Sequence, residues 1–319
     1  MDNLTHSLIG LAASKAGLEK LSPGTTTLCV LAANAPDSDI LVLIFGGRWA
    51  FLHHHRGITH SIVGTAALGL ILPLIFYGGN LLLSRLRGTT VRVRLPGLIF
   101  ASLIVSATHP LMDWTNNYGV RFLLPWNPRW FYGDFVFIID PFLWIILGGA
   151  VFLLTSSTKK QLLVWVIIAL VPSYLVLIGP GGPARLANET LIRLLWVAAM
   201  LVVVSLYRRK IGGRLGARIA LAALAVATIY CGGLGAIHAV ALHQAKAEAL
   251  RIANEHTEQL VKVAAMPTVA NPTEWACVME TDRAAYKFNL SLLHGRPANP
   301  PLVRYEKPWA ANSQPLPRR

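Results

Sequence analysis

Apolar residues along this chain fall into blocks of about twenty, the length that an α-helix needs to cross a hydrocarbon core of roughly 30 Å. Short polar or basic segments separate the blocks. The pattern therefore predicts an all-α polytopic membrane protein with six full spans: Ser61–Leu83, Leu95–Met112, Phe135–Leu154, Gln161–Ile178, Leu191–Tyr207 and Ala217–His238.

The first sixty residues follow a different pattern, because their apolar stretches are too short to span. Asn3–Lys20 and Thr25–Ala35 each predict a short helix. We interpret them as a half-depth helical hairpin that enters the membrane from its outer side. The alternative, one conventional span over residues 25–46, would bury Asp37 and Asp39 near the middle of the bilayer, which is costly.

The composition changes again after residue 242, where the apolar blocks stop. We divide the chain into a membrane-embedded domain (1–242) and a small α+β C-terminal tail (243–319). Within the tail, residues 245–263 favour an amphipathic helix. Residues 275–280 and 285–292 favour a β-hairpin, and the proline-rich end is expected to be extended.

Only 14% of the residues are charged, against about 25% in soluble domains, which excludes an ordinary soluble enzyme. The net charge is +14, and most of the basic residues of the membrane part lie in three short loops. Because short basic loops stay in the cytoplasm, the positive charge indicates topology rather than nucleic-acid binding, and the expected partners are membrane lipids. This orientation puts the tail outside the cytoplasm. The basic residues of the three loops are Arg85, Arg87, Arg92, Arg94, Lys159, Lys160, Arg208, Arg209, Lys210, Arg214 and Arg218.

Histidines and carboxylates gather at the predicted outer ends of the helices. Imidazole and carboxylate at one depth are suitable ligands for a divalent metal. His109 and Asp113 have the i, i+4 spacing that puts both on one helix face. Zinc fits mixed His/Asp ligation best, with manganese or iron as alternatives. Asp39, His60, His109 and Asp113 are expected to hold the metal, with His6 and Asp37 as a second set or as bridging ligands. The full set of predicted metal ligands is His6, Asp37, Asp39, His55, His60, His109 and Asp113.

An ordered set of motifs resembles the bacterial inner-membrane metal-dependent hydrolases of the YdjM type, also described as LexA-regulated. The resemblance covers residues 1–143. It implies a multi-pass protein of the bacterial inner membrane with a distant similarity to zinc-dependent phospholipase C and P1-type nucleases. Its motifs are Asn3-Leu-Thr-His-Ser7, Ala35-Pro-Asp-Ser-Asp39, His55-Arg-Gly-Ile-Thr-His-Ser61, His109-Pro-Leu-Met-Asp-Trp-Thr-Asn-Asn-Tyr-Gly119, Trp130-Phe-Tyr-Gly-Asp134 and Asp140-Pro141.

These features lead to the hypothesis of a hydrolase that acts on a phosphoester or lipid-linked ester at the periplasmic face. Arg56 is expected to steady a phosphate or a developing oxyanion. Asp140 is expected to orient a ligand histidine or to serve as a base. A metal-ion or proton-coupled transporter and a non-catalytic scaffold with a structural metal remain as alternatives, and the sequence carries no signal for the oligomeric state.

Overall fold

The computed structural model describes residues 1–90, 92–178, 189–293 and 297–307. Helices make up most of the described chain as far as residue 255, and strands follow. Short 3₁₀ turns at Leu18–Lys20, Ala35–Ile40 and Ile58–His60 connect the first helices. The helices are α1 (Asn3–Lys15), α2 (Thr25–Asn34), α3 (Leu41–His54), α4 (Ile62–Arg87), α5 (Leu95–Trp114), α6 (Pro141–Thr155), α7 (Lys159–Leu177), α8 (Glu189–Arg208), α9 (Ile211–Leu215) and α10 (Ala217–Glu255).

Six helical stretches of the described residues are long and apolar enough to cross a membrane. Their number equals the predicted number of spans, but one of the six is a different segment of the chain. Five of them overlap predicted spans. The sixth is Thr25–Ile44, near the N-terminus, whereas the predicted span 135–154 is represented only by the 15-residue α6. The six are Thr25–Ile44, Ile62–Arg87, Leu95–Trp114, Lys159–Leu177, Thr190–Arg208 and Ala217–Glu255.

Helix α6 begins six residues later than predicted because its start is set by a proline and a cap. Pro141 occupies the first helical position, where a missing N–H costs nothing, and Asp140 caps the helix with its side chain. The preceding residues pair elsewhere: the N–H groups of Phe135 and Val136 donate to the carbonyl of Thr115 at 2.9 and 3.0 Å. This irregular segment is thereby packed onto the end of α5.

The two short helices predicted for the first 35 residues are confirmed as α1 and α2. They run antiparallel, since Asn34 donates to Ser7 at 3.0 Å and Ser14 lies 2.7 Å from Thr26 at the other end. Gly10 permits the close approach, because a Cβ there would lie 2.7 Å from the carbonyl oxygen of Cys29. The depth of this pair in a membrane stays a prediction.

Helices α4 and α5 separate the basic loop from the histidines. Helix α4 ends at Arg87 and α5 begins directly after Arg94. At their opposite ends, α4 follows the turn that carries His60, and the last turns of α5 carry His109 and Asp113. The predicted ligands therefore lie at the end of the helices remote from the basic loop.

Helix α6 is the centre of the largest apolar core and packs against α1, α8 and α10. Its buried side chains include Leu143 and Leu147, which contact the same cluster as Leu8 of α1. Outward faces remain apolar: Ile75 is 67% exposed and Ile229 is 73% exposed. Extended exposed apolar faces of this kind are typical of a surface that contacts lipid.

The tail is a four-stranded antiparallel sheet in the order β1-β2-β3-β4. The predicted hairpin is confirmed as β2 and β3, with Glu280 opposite Ala285. The helix predicted over 245–263 is wrong in its second half: α10 continues without a break to Glu255, and β1 begins at Leu260. Alternate side chains of the sheet form an apolar face that packs against alanines of α10. This alternation is possible for a strand, whose side chains point to opposite faces, and not for a helix. The strands are β1 (Leu260–Thr268), β2 (Asn271–Thr281), β3 (Ala284–Ser291) and β4 (Pro297–Glu306).

A buried carboxylate, Glu258, joins the sheet at the end of α10. It accepts hydrogen bonds from Thr281 at 2.6 Å, Tyr286 at 2.9 Å and Arg304 at 2.8 Å. Burial acts to raise the pKa of Glu258, but these hydrogen bonds outweigh it and hold the pKa below its ordinary value.

The sheet lies at the same end of the helices as the predicted ligands. Its β1–β2 turn borders a small cleft with Phe135 and Asp140 of the segment before α6. The side-chain amide of Asn117, just beyond α5, lies 3.5 Å from the sulfur of Met266 in β1. The tail therefore covers part of the surface that follows the end of α5.

Candidate metal centre

Four predicted ligands from three separate segments converge: Asp37, His60, His109 and Asp113. Each offers one ligand atom, and these atoms all lie within 4.8 Å of one another. Asp37 comes from the 3₁₀ turn after α2, His60 from the turn before α4, and the i, i+4 pair from the end of α5. Within the described ranges, no other group of three or more His, Cys, Asp or Glu side chains meets this condition.

The ring of His109 is held in the tautomer that a metal ligand requires. Its Nδ1 lies 2.6 Å from the carbonyl oxygen of Ala33 in α2. Because a carbonyl can only accept, Nδ1 carries a proton, and in the neutral ring Nε2 then has the lone pair that a metal ligand needs. That Nε2 lies 3.4 Å from Asp37 Oδ1 and 3.6 Å from Asp113 Oδ2.

The ring of His60 faces the same point from the opposite side. Its Nε2 lies 3.5 Å from Asp37 Oδ1, 3.3 Å from Asp113 Oδ2 and 3.1 Å from Nε2 of His109. Two imidazole nitrogens and two carboxylate oxygens thus point toward one small volume. Such a donor set matches the His and Asp ligation of Zn²⁺ and tolerates Mn²⁺ or Fe²⁺.

Asp39 and His55 lie beside the four converging side chains rather than among them. Asp39 accepts the backbone N–H of Arg56 at 2.8 Å, and its oxygens lie 3.2 Å from Nδ1 of His55 and 3.5 Å from Nδ1 of His60. A carboxylate on the far nitrogen of a ligand histidine fixes the orientation of the ring. Nδ1 of His60 also lies 3.0 Å from the hydroxyl of Thr59, so Asp39 and Thr59 together have the contacts that orient this ring.

Arg56 is turned inward and is 4% exposed. Its Nε lies 3.1 Å from Asp113 Oδ2, and its Nη1 donates to Asn116 Oδ1 at 2.8 Å. The guanidinium carbon lies 4.7 Å above the ring of Tyr118. These partners hold the guanidinium against Asp113, and its predicted contact with a phosphate or oxyanion stays a prediction.

His6 is adjacent to the cluster on its α1 side. Its ring stacks on His109 with centroids 3.7 Å apart, and its Nε2 lies 3.3 Å from Asp113 Oδ1, an oxygen that also contacts the amino group of Met1. Its Nδ1 is buried without a hydrogen-bond partner among the described residues. His6 therefore has a ring nitrogen in contact with the ligand carboxylate but lies outside the group of four.

The structure does not bring Asp140 to this cluster. One of its oxygens accepts the N–H groups of Phe142 at 2.8 Å and Leu143 at 3.0 Å, and the other accepts the hydroxyl of Tyr230 at 2.8 Å. Its described contacts include no histidine of the cluster. They are those of a helix cap, in place of the predicted contact with a ligand histidine.

Three groups that sequence reasoning had not singled out take part in the site: the carbonyl of Ala33, the amide of Asn116 and the ring of Tyr118. Asn116 and Tyr118 fall in the stretch that follows Asp113 and is part of the resemblance, which was the only signal for them. A backbone carbonyl such as that of Ala33 leaves no trace in a sequence pattern. Its role depends on α2 and α5 packing side by side.

Access to the cluster is from one side. His60 and His109 are fully buried and Asp113 is 1% exposed, whereas the side chain of Asp37 is 20% exposed. The opening therefore lies at the turn Ala35–Ile40, where His55 is also partly exposed. The cluster is therefore closest to the surface at Asp37.

The fold and the site together define a multi-pass membrane protein with a buried His/Asp cluster that can hold a metal ion. The chain belongs to the family described as YdjM inner membrane protein, which matches residues 1–181, more than half of its length. All four cluster residues lie within the matched part. Family membership and the six candidate spans agree with a multi-pass protein of the inner membrane.

Two curated proteins are similar to this chain. The uncharacterized protein YfhP of Bacillus subtilis is 27% identical over 160 residues, which are 46% of this chain and 43% of YfhP. The inner membrane protein YbcI of Escherichia coli is 28% identical over 145 residues, 44% of this chain and 76% of YbcI. The chain thus spans less than half of YfhP and about three quarters of YbcI. No solved structure matches it.

Proposed function

We propose that this protein is a membrane-embedded, metal-dependent hydrolase that acts on a phosphoester or lipid-linked ester at the periplasmic face of the inner membrane. The observation that carries the proposal is the convergence of Asp37, His60, His109 and Asp113, whose ligand atoms lie within 4.8 Å of one another. A divalent ion there would supply Lewis acidity and lower the pKa of water toward about 7.

The residues of the chain divide into holding and positioning groups. The ion would be held by four groups: Nε2 of His60, Nε2 of His109, and the carboxylates of Asp37 and Asp113. Asp39 orients His60, and the Ala33 carbonyl orients His109. Asp37 is the most exposed of the four ligands, so an ester approaches the site along its side.

The positioning of Asp113 is assigned to Arg56. Its Nε contacts the same oxygen of Asp113 that faces both ligand histidines. A fixed guanidinium also offsets part of the negative charge that the aspartates bring into a buried site. Arg56 thus affects the substrate only by positioning Asp113. His6 and His55 pack against the metal ligands and position them.

The orientation of the site supports a substrate from the outer leaflet. The basic loop between α4 and α5 lies at the far end of these helices from the cluster, and short basic loops stay in the cytoplasm. The same rule puts the C-terminal sheet on the periplasmic side, because it follows α10 and borders the segment before α6.

The first test is the metal content of the purified full-length protein. We expect a divalent metal in the wild type and in His243→Ala, an exposed histidine outside the cluster, and none in the double variant His109→Ala, Asp113→Ala. Equal metal content in the double variant and the wild type would remove the site as described.

The second test measures turnover of bis-p-nitrophenyl phosphate and of labelled phospholipids, with and without a chelator. We expect hydrolysis in the wild type that the chelator abolishes and that metal restores. Metal-dependent flux into proteoliposomes without hydrolysis would instead identify a transporter.

A structural metal in a non-catalytic scaffold is the second candidate function. It is favoured by the complete burial of His60 and His109 and by the three separate segments that the ion would tie together. It predicts that chelation lowers the unfolding temperature while no ester substrate is turned over.

A further inference from the structure

An apolar cavity of about 350 Å³ lies between α1, α6, α7 and α8, and none of the four converging side chains lines it. Its volume is in the range of pockets that bind small molecules. The walls are hydrocarbon and aromatic: Leu8 on α1, Phe152 on α6, Trp165 and Ala169 on α7, and Trp196 on α8. An empty space of this size and character inside a bilayer would be filled by an apolar chain rather than by water.

The cavity is open to the membrane. Val166 of α7 and Val204 of α8 both line it, and they are 50% and 42% exposed on the lipid side of the helices. An occupant can therefore enter sideways between these two helices.

The depth of the cavity matches one leaflet. Along α8 its lining extends from Trp196 to Arg208, which corresponds to about 18 Å at roughly 1.5 Å per residue. Half of a hydrocarbon core is about 15 Å. A single acyl chain of one leaflet has the length to fill it.

One end of the cavity is basic. The charge at that end indicates the leaflet and the headgroup of the lipid that would fit there. Arg208 is the charged residue of the lining and is exposed in the last turn of α8. The start of α7, with Lys159 and Lys160, lies at the same end, because Tyr207 donates to the carbonyl of Ser156 at 3.2 Å. Basic residues near the cytoplasmic leaflet attract anionic lipids.

We propose that this cavity is a binding site for one anionic phospholipid of the cytoplasmic leaflet. One acyl chain lies between α6, α7 and α8, and the phosphate contacts Arg208. The apolar part of the cavity reaches Leu4 and Leu8 on α1, but its basic end at Arg208 lies at the opposite end of the helices from the metal centre, so the headgroup contact is separate from the proposed hydrolase activity.

The test is a titration of the full-length protein, in detergent, with phosphatidylglycerol or phosphatidylcholine, followed by native mass spectrometry. We expect one saturable phosphatidylglycerol that is preferred over phosphatidylcholine. Two variants fill the cavity from different walls, Ala169→Phe and Gly148→Leu. A Cβ at Gly148 would be in ordinary contact with Leu8, 3.6 Å away. We expect either variant to weaken phosphatidylglycerol binding at least tenfold.

The headgroup contact is tested by Arg208→Gln, with Arg209→Gln as the charge-matched control from the same loop. We expect Arg208→Gln to reduce the preference for phosphatidylglycerol about fivefold, the equivalent of about 1 kcal/mol for one basic residue. Arg209→Gln should keep the preference.

Three results would overturn the proposal. The first is a wild type without saturable phosphatidylglycerol binding. The second is undiminished binding in a cavity-filling variant whose melting temperature matches the wild type. The third is an equal loss of the phosphatidylglycerol preference in the two arginine variants. The preference would then come from the overall charge of the loop and not from a contact with Arg208.

Discussion

Replacing Asp39 by asparagine separates a metal ligand from a residue that orients one. From the sequence, Asp39 is the expected ligand of this turn and Asp37 a second or bridging ligand. In the structure, Asp37 belongs to the converging four, whereas Asp39 accepts the N–H of Arg56 at 2.8 Å and lies 3.5 Å from Nδ1 of His60. Asparagine keeps the shape of the side chain and removes the charge that aligns the ring.

The size of the effect follows from that position. Loss of a group that orients a ligand weakens metal binding by about 10- to 100-fold, or about 1.4–2.8 kcal/mol. Asp113→Asn removes a ligand oxygen and the ion-pair partner of Arg56 together. We therefore expect Asp39→Asn to bind zinc 10- to 100-fold more weakly than the wild type and Asp113→Asn to lose the site.

The assay is a competition titration of zinc between the purified full-length protein and a fluorescent chelator. The matched control is Asp134→Asn, a carboxylate of the segment before α6 with φ +59°, a conformation that asparagine also tolerates. Its zinc affinity should equal that of the wild type. An affinity loss in Asp39→Asn as complete as in Asp113→Asn would make Asp39 a ligand, and no loss at all would refute the orienting role.

Three further predictions concern the scaffold. Gly64→Ala places a Cβ 1.7 Å from the carbonyl oxygen of Ile58. It should lower the unfolding temperature and zinc affinity through a clash of about 1–3 kcal/mol, whereas Gly78→Ala, with open space around it, should do neither. Because the pKa of Glu258 is lowered in the folded tail, its contribution to stability is present above the ordinary Glu value of about 4.3 and is lost as the pH falls through the folded pKa. Calorimetry from pH 7 to 3 should show this loss in the wild type and not in Glu258→Gln. Tyr230→Phe removes a hydrogen bond to the carboxylate that caps α6. It should reduce stability by about 1–3 kcal/mol without a change in metal content, and a loss of metal would contradict the separation of that carboxylate from the site.

Much of the architecture follows from local pattern alone. A bilayer forces every spanning segment to satisfy its own backbone, so apolar blocks of the right length identify helices α4, α5, α7, α8 and α10 directly. Two apolar runs separated by Thr281-Asp282-Arg283 similarly indicate the hairpin of β2 and β3. The gathering of His6, His60, His109 and Asp113 at one end of the helices could also be predicted, because the basic loops orient the spans.

Local pattern was insufficient where two segments compete for the same residues. Hydropathy extends the helix of α6 back to Phe135, but the N–H groups there pair with Thr115 and the helix starts after Asp140. The stretch after Glu255 has helical amphipathicity, yet it becomes a strand because β2 offers it a partner edge. In both cases a contact with a distant segment outweighs the local preference.

The sequence by itself determined which chemical groups were available to the site and at which end of the helices they lie, since hydropathy and charge along the chain set the order and direction of the helices and need no partner. Only the tertiary structure decided that Asp37 is one of the four converging side chains whereas Asp39 lies beside them. It also decided that Arg56 turns inward and contacts Asp113. The physical reason is that the centre is made by three segments remote in the chain. The direction of each side chain is set by the neighbours that those segments bring, such as the Ala33 carbonyl that turns His109, and not by its spacing along the sequence.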